Sequence, residues 1–262
     1  MTHTFAICAY KESSYLEACI KSLRKQTVKS NIIIATSTPN DLIRGLAEKY
    51  ELPLFINEGE TGITGDWNFA YSCADTDLIT IAHQDDVYLP DYTEKLLKAM
   101  EKCKDPIIYF TDYAELRNGR IVASNKLLKI KRIMLLPLIP GFSRRSRFIR
   151  RRVLSMGNPI CCPSVTFYRE KCGEKPFDSG FKASCDWQAW EKLSKLKGTF
   201  YYKAKPLMYH RIHEESETSH VLSDTGRTFE DLQMYEKFWP KPIARFLAKK
   251  YSKSEESNTV DE

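Results

Sequence analysis

The first 112 residues alternate short apolar, β-prone segments with amphipathic segments, and this alternation limits the fold more than any other feature. The predicted strands are Thr4–Ala9, Asn31–Ala35, Pro53–Ile56, Leu78–Ala82 and Ile107–Thr111, and the predicted helices are Tyr15–Lys25, Asp41–Tyr50, Asp66–Cys73 and Asp91–Lys102. Strands that alternate with helices form a mostly parallel sheet with right-handed crossovers. We therefore expect an α/β domain whose ligands bind beyond the C-terminal ends of the strands.

Two of the predicted helices begin with a capping-box pattern. Ser14 is followed three residues later by Glu17, and Asp91 is followed three residues later by Glu94. In this pattern the first side chain accepts a bond from a helix amide and the acid bonds back to the cap residue. We predict that Ser14 and Asp91 cap these two helices.

The predicted strand Leu78–Ala82 is followed by two adjacent carboxylates, Asp85 and Asp86. Adjacent acids repel each other unless a cation lies close to them. A hard divalent ion, held by a carboxylate and by substrate phosphates, is a common solution. A solvated turn is the alternative, and this segment alone leaves both interpretations open.

The chain after residue 112 is less regular. We predict strands at Ser164–Tyr168, Thr199–Lys203 and Leu207–His213, helices at Asp186–Lys197, Phe229–Trp239 and Ile243–Tyr251, and a disordered tail at Ser252–Glu262. The regular alternation of strands and helices in the first half is followed by a second half with a larger share of loops.

The segment Lys126–Arg152 contains ten Lys or Arg residues and no acid, interleaved with bulky apolar residues. It could be a solvated, partly disordered insertion, or an amphipathic element that contacts anionic lipid. A nucleic-acid surface is a third interpretation, but no RNA- or DNA-binding motif accompanies it. We favour a membrane surface and expect no nucleic acid partner.

No apolar run reaches the roughly 20 residues that cross a bilayer, and no secretory signal is visible, so we expect a cytoplasmic protein at the inner face of the plasma membrane.

Five motifs, in order, make the chain resemble the family 2 glycosyltransferases of the GT-A fold. They are Ala9-Tyr10-Lys11-Glu12, Asn57-Glu58-Gly59 with the following Trp67-Asn68, His83-Gln84-Asp85-Asp86 through Pro90, Cys185-Asp186-Trp187 through Trp190, and Tyr209-His210-Arg211-Ile212-His213 through Ser216. Each motif is weak alone, but five in the correct order over residues 4–220 give a strong signal. The resemblance implies a GT-A sheet, similar to a Rossmann fold, with a less regular acceptor-binding half.

The resemblance also implies roles for individual residues. The implied donor-binding residues are Ala9, Tyr10, Glu12, Thr36, Asn68, Gln84, Asp85 and Arg211. Asp85 and His213 are the implied ligands of a divalent metal, Mn²⁺ or Mg²⁺. Asp186 is the implied general base, and a helix start would lower its pKa through the helix dipole. The plain alternatives are a helix N-cap for Asp186 and a solvated strand face for Arg211 and His213. Asn158 to Ser164 is expected to form an acceptor-side loop.

Three departures from the family pattern bear on these roles. His83 replaces the first Asp of the metal motif, Thr36 lies where the family commonly has a base-contacting acid, and Cys185 replaces the acid before Asp186. Thr36 can hydrogen-bond a base but carries no charge, so the resemblance does not imply the uridine preference that is usual in the family. Asp85 and Asp186 are both retained, which favours a working enzyme over an inactive nucleotide- or glycan-binding relative.

The resemblance therefore implies a metal-assisted, inverting transfer of a sugar from a nucleotide diphosphate to a hydroxyl group. The acceptor would be a growing surface glycan or a lipid-linked saccharide. We expect residues 1–112 to bind the donor, residues 113–220 to bind the acceptor, and residues 221–262 to form C-terminal helices and a tail. A nucleotidyltransferase-like enzyme is the alternative, but Ala9–Ser14 lacks the Gly-rich basic loop that such enzymes need.

Overall fold

A computed structural model describes residues 1–213 and 225–255. The strands are β1 (His3–Ala9), β2 (Asn31–Thr36), β3 (Leu54–Ile56), β4 (Leu78–His83), β5 (Val87–Tyr88), β6 (Pro106–Arg117), β7 (Arg120–Val122), β8 (Val165–Tyr168) and β9 (Thr199–Ile212). The helices are α1 (Leu16–Arg24), α2 (Asp41–Lys49), α3 (Ile63–Ser72), α4 (Tyr92–Lys102), α5 (Lys126–Leu135), α6 (Arg147–Leu154), α7 (Arg169–Cys172), α8 (Cys185–Ser194), α9 (Thr225–Glu236) and α10 (Lys241–Glu255).

All nine described strands join one sheet, in the order β3-β2-β1-β4-β8-β6-β9-β5, with β7 paired to β6. Strands β1 to β4 are parallel to one another, and β8 is antiparallel to both β4 and β6. Strand β9 is parallel to β6, so six of the nine strands run in one direction. The predicted mostly parallel α/β sheet flanked by helices is confirmed.

The register of the parallel strands brings the predicted site residues to one edge of the sheet. Cys8 of β1 lies opposite His83 of β4, and Ala9 lies opposite Thr36 of β2. The three strands therefore end at the same level, and the turn with Asp85 follows directly. This edge is where parallel α/β sheets bind ligands.

Side chains alternate between two cores, one on each face of the sheet, because successive strand residues point to opposite sides. On one face Phe5 and Ile7 pack with Leu16 of α1 and Tyr92 of α4. On the other face, the buried residues include Ala6, Ile79, Ile81, Trp187 and Trp190. Helix α8, which carries Asp186, is thus anchored by two indole rings that are at most 1% exposed.

Both capping-box predictions are wrong. Helix α1 begins at Leu16 without a side-chain cap, and Glu17 instead bonds Nζ of Lys49 at 2.7 Å, which ties α1 to α2. Asp91 precedes α4 but makes no cap bond, because its carboxylate pairs with Nζ of Lys205 at 2.6 Å. In each case a long-range ion pair competes with the local capping bond and displaces it.

The strands predicted at Thr199–Lys203 and Leu207–His213 form the single strand β9. Its pairing with β6 shifts register between Lys203 and Pro206, so a bulge accommodates the proline within the strand. At the C-terminus, α10 continues to Glu255, so part of the predicted disordered tail is helical. Residues 214–224, including the motif residue Ser216, and residues 256–262 lie outside the described part of the chain.

The basic segment Lys126–Arg152 is ordered rather than a disordered insertion. It forms α5, two short 3₁₀ turns and α6. Six of its ten cations, namely Lys131, Arg132, Arg144, Arg147, Arg150 and Arg151, bond to protein groups. The exposed cations are Lys126, Lys129, Arg145 and Arg147. Within the described residues, none of the helices combines the length and apolarity that spanning a bilayer requires.

Candidate active site

One cavity of about 930 Å³ opens at the C-terminal ends of β1, β2 and β4. It reaches from the turn after β1 to the first residues of α8. Six residues predicted from the sequence line it, namely Tyr10, Glu12, Gln84, Asp85, Asp186 and His213. Residues of both halves of the chain therefore face one space, which is large enough for a nucleotide sugar and part of an acceptor.

At the end of β4, His83, Asp85 and Asp86 bring their ligand-type atoms within 4.8 Å of one another. Nε2 of His83 and Oδ2 of Asp86 are buried and have no hydrogen-bond partner among the described residues. Buried polar atoms without partners are rare and costly. Oxygen and imidazole ligands suit a divalent cation, so this donor set fits the predicted metal. The structure does not bring His213 into the same group.

The end of β9 holds both carboxylates in place. His213 lies with Nε2 3.0 Å from Oδ2 of Asp85, and Nε of Arg211 donates to the backbone oxygen of Asp85 at 2.8 Å. Oδ1 of Asp86 accepts the Arg211 amide at 2.9 Å and lies 3.0 Å from Nδ1 of His210. Only Oδ1 of Asp86 is bonded to β9, so Oδ2 stays available to the cavity end of β4.

The electrostatics of this cluster differ from residue to residue. Burial lowers the pKa of His83 below its ordinary value even though Asp86 and Asp85 oppose it, so the ring is neutral near pH 7. Burial also lowers the pKa of His210, but the charge and hydrogen bond of Asp86 outweigh it and raise that pKa overall. Burial raises the pKa of Asp85, yet the His213 bond and the nearby histidines leave it lowered. Asp85 is therefore a carboxylate, and neutral imidazole is the form of His83 that binds metals.

The turn after β1 is fixed by reciprocal bonds to Gln84. The Tyr10 amide donates to Oε1 of Gln84 at 3.0 Å, and Nε2 of Gln84 donates to the Tyr10 backbone oxygen at 2.9 Å. The next residue, Lys11, has a φ of 54°, a conformation that non-glycine residues seldom adopt. Its amide donates to Oγ1 of Thr38 at 2.5 Å. These contacts shape the wall on which the donor is expected to lie.

Four predicted donor-binding residues are not among the described residues that line the cavity. Ala9 and Thr36 are each 1% exposed, and Oγ1 of Thr36 accepts the Thr38 amide at 3.0 Å. The side-chain amide of Asn68 bonds both backbone groups of Phe177. The Arg211 guanidinium lies 4.2 Å from the ring centre of Tyr15. In this structure these four residues are not part of the cavity lining, and they hold neighbouring residues in place.

Asp66 was not predicted as a site residue, yet it lines the cavity near the end of β2. It comes from α3, and its oxygens accept bonds of 2.9 Å from Oγ of Ser37 and from Nδ2 of Asn57. A carboxylate thus stands close to the place where the second strand lacks its usual acid. Only the folding of α3 against β2 brings it there, so no local signal marks it.

Asp186 lies at the other end of the cavity, in the first turn of α8. Its Oδ2 accepts Nδ2 of Asn158 at 2.7 Å, and its Oδ1 accepts the Trp187 amide at 2.6 Å. Burial raises the pKa of Asp186 above its ordinary value, and the bonds from Asn158 and Trp187 only partly offset this. The expectation that the helix dipole lowers this pKa is therefore wrong, because desolvation outweighs the dipole.

Cations approach the Asp186 end of the cavity from three elements. Lys131 of α5 donates to the Tyr113 hydroxyl at 3.0 Å, and Lys182 and Arg227 line the same end. Lys131 belongs to the basic segment, for which the sequence predicts a membrane surface and no cavity residue. The spacing of charges along the segment does not reveal which cation points inward.

Comparison with known proteins agrees with this geometry. The model of the family described as "Glycosyl transferase family 2" matches residues 4–174. The structure of S. aureus TarS 1-349 in complex with UDP-GlcNAc is similar, with a TM-score of 0.65 and 14% sequence identity, over 98% of this chain and 73% of TarS 1-349. No curated protein matches the sequence significantly.

A second similar structure is the mannosyltransferase PcManGT from Pyrobaculum calidifontis in complex with GDP-Man and Mn²⁺. Its TM-score is 0.64 at 11% identity, over 98% of this chain and 70% of that protein. At such identities the structural matches establish a shared fold, while the family match extends over most of the sequence, from β1 to just beyond α7. The chain therefore belongs to glycosyl transferase family 2.

Proposed function

We propose that this glycosyltransferase moves a sugar from a nucleoside diphosphate to an acceptor hydroxyl, with inversion at the anomeric carbon. The observation that carries the proposal is a single cavity with Asp85 at one end and Asp186 at the other. Two similar proteins have UDP-GlcNAc and GDP-Man bound. We propose a nucleotide-sugar donor on this basis, without assigning its base or sugar.

We propose that Asp85 binds a divalent metal together with His83 and Asp86. The unpartnered atoms of His83 and Asp86 support this, as does the Mn²⁺ in the similar mannosyltransferase. His213 stays a predicted ligand through its contact with Asp85. When bound, such an ion stabilises negative charge that develops on a leaving diphosphate. Arg211 and His213, at the end of β9, hold Asp85 in place at the edge of the cavity.

Asp186 is proposed as the general base. The acceptor hydroxyl gives its proton to a carboxylate oxygen of Asp186 while its oxygen bonds to the anomeric carbon. The bond from that carbon to the diphosphate oxygen breaks on the opposite face, and the diphosphate keeps the electron pair. One base and one displacement give inversion. The bond from Asn158 orients the carboxylate, and the raised pKa strengthens it as a proton acceptor.

The acceptor is proposed to be a surface glycan or lipid-linked saccharide, presented at an anionic membrane. Exposed apolar residues lie along the basic segment, namely Ile130, Ile133, Leu136, Ile139, Phe142 and Phe148. Exposed cations accompany them and no acid interrupts them. This combination suits the interface of an anionic bilayer. Lys131 belongs to the same basic segment and lines the cavity. An acceptor anchored in the bilayer would therefore lie close to the cavity.

A donor screen tests the proposed reaction. The protein is incubated with UDP-, GDP-, CDP- and ADP-sugars, with Mn²⁺ or Mg²⁺, and release of the nucleoside diphosphate is followed with and without simple saccharide acceptors. We expect release from one donor class, faster with an accepted saccharide. Release of pyrophosphate from a nucleoside triphosphate, dependent on an added sugar phosphate, would instead support a nucleotidyltransferase.

A further inference from the structure

Helix α8 carries Asp186 but lacks a cap of its own. Ser184 occupies the position before the helix, and its side chain makes no bond to the first helix amides. The amides at the start of a helix have no partners within it and must find others. With no cap bond from Ser184, the position of Asp186 depends on how the loop that leads into α8 is held by another part of the chain.

That support comes from α9, more than 40 residues further along the chain. Oε1 of Glu230 accepts the Lys182 amide at 2.8 Å, and its Oε2 accepts the amides of Ala183 and Ser184 at 2.8 and 2.9 Å. The adjacent Asp231 accepts Oγ of Ser184 at 2.7 Å. Three successive amides thus surround one carboxylate, an arrangement that binds anions well.

These bonds end two residues before Asp186. Charge-assisted hydrogen bonds are short and strong, so the Glu230 carboxylate restricts the path by which the chain enters α8. A negative charge near the start of a helix is also favourable because it complements the helix dipole. Both Lys182 and Ser184 line the cavity with Asp186, so movement of this loop would change the acceptor end of the site directly.

We propose that Glu230 is a positioning residue for sugar transfer: it fixes the loop 182–184 and thereby the general base Asp186. This inference rests on the proposed role of Asp186. It also assigns a function to α9, which lies outside the residues matched by the family model. Nothing in the local sequence around Glu230 marks it, because its partners come from a separate element.

The test variant is Glu230→Gln, which keeps the size of the side chain but replaces one acceptor oxygen by an amino group facing backbone amides. We expect transfer to fall by roughly 10- to 100-fold, since a displacement of about 1 Å can cost 10²-fold. Binding of the donor nucleotide, measured by calorimetry, should stay within about twofold, because that end of the cavity is built by β1, β2 and β4. Glu236→Gln, at an exposed position of the same helix, is the matched control and should transfer at the parental rate.

A double-mutant cycle with Asp186→Asn separates positioning from general damage. If Glu230 acts through Asp186, adding Glu230→Gln to Asp186→Asn should change transfer less than about threefold. A parental rate in Glu230→Gln, or a full additional loss in the Asp186→Asn background, would overturn the proposal. If Glu230→Gln fails to bind donor nucleotide, Glu230→Asp, which keeps the charge but shortens the reach to the three amides, replaces it and must show the same dependence on Asp186. A parental rate in Asp186→Asn alone would reject the proposed base instead.

Discussion

Asp86 and His210 are 124 residues apart in the sequence, yet Oδ1 of Asp86 lies 3.0 Å from Nδ1 of His210. The carboxylate is fully buried, and it also accepts the Arg211 amide at 2.9 Å. This contact joins the turn after β4 to the end of β9. The predicted metal-binding turn and the predicted His-containing strand are therefore one structural unit.

This ion pair should make stability depend on pH. Asp86→Asn removes the charge that stabilises protonated His210, so the free energy of unfolding should fall by about 3 kcal/mol at mildly acidic pH. Because the pKa of folded His210 is raised above 6.5, the stabilisation is present below that value and is lost as pH rises through the raised pKa. The loss in the variant should therefore shrink at higher pH. Urea denaturation from about pH 5.5 to about pH 9 measures it.

Asp91→Asn is the control for that experiment. Its pair with Lys205 is about one-quarter to one-half exposed, so its loss should cost less than about 1 kcal/mol. The cost should not follow the titration of a histidine. If Asp86→Asn lost the same free energy at every pH, the charged pairing with His210 would be disproved.

The cluster at the end of β4 should make nucleotide binding depend on a divalent ion. Asp85→Asn keeps the shape of the side chain but removes its charge, so affinity for the donor's nucleoside diphosphate in Mn²⁺ should fall about tenfold or more. Wild-type protein in EDTA should bind similarly weakly. Calorimetry in Mn²⁺ and in EDTA provides the comparison, with Asp91→Asn as a charge-matched control. Equal affinity of the wild-type protein in both conditions would contradict the metal assignment.

The exposed apolar residues of the basic segment should anchor the protein to anionic membranes. Phe142 and Phe148 are 82% and 73% exposed, and inserting one such ring contributes about 1.5–3 kcal/mol. Replacing both by Ala should weaken binding to anionic liposomes by at least tenfold. Ile121→Ala, which alters a 55% exposed residue on β7, should leave binding unchanged.

Flotation with anionic and with zwitterionic vesicles, at low and at high salt, measures this binding. We expect recovery with anionic vesicles only, weakened by salt because the exposed cations are screened. Equal recovery with both vesicle types, or recovery with neither, would show that the segment serves no electrostatic membrane contact.

The first half of the fold was predictable because its signals are local. The apolar period of β1 and β4 and the amphipathic pattern of α1 and α2 each lie within about ten residues. The capping boxes failed because the partners of Glu17 and Asp91 are distant in sequence. Strand β9 was predicted as two strands, and only its alignment with β6 reveals the bulge that accommodates Pro206.

The site was predictable only in part, for the same reason. Asp85 and Asp186 stand in ordered motifs, and both line the cavity. Asp66 and Lys131 reach it from α3 and α5, and Glu230 of α9 bonds the loop 182–184 that borders it. Their importance depends on which elements pack together. The pKa of Asp186 was predicted in the wrong direction, because desolvation depends on three-dimensional burial and not on position within a helix.

The most direct test of the account is the transfer rate of Asp186→Asn as a function of pH. In the wild-type protein the base must be ionised, so the rate should rise with pH through a pKa above the ordinary Asp value of 3.8. Asp186→Asn should keep its fold and donor binding but lose roughly 10²–10⁴-fold in transfer, together with that pH dependence. Asp178→Asn, at an exposed pair with Lys192, is the control and should behave as the wild type. An Asp186→Asn protein that is folded and transfers sugar at the parental rate would show that Asp186 is not the general base.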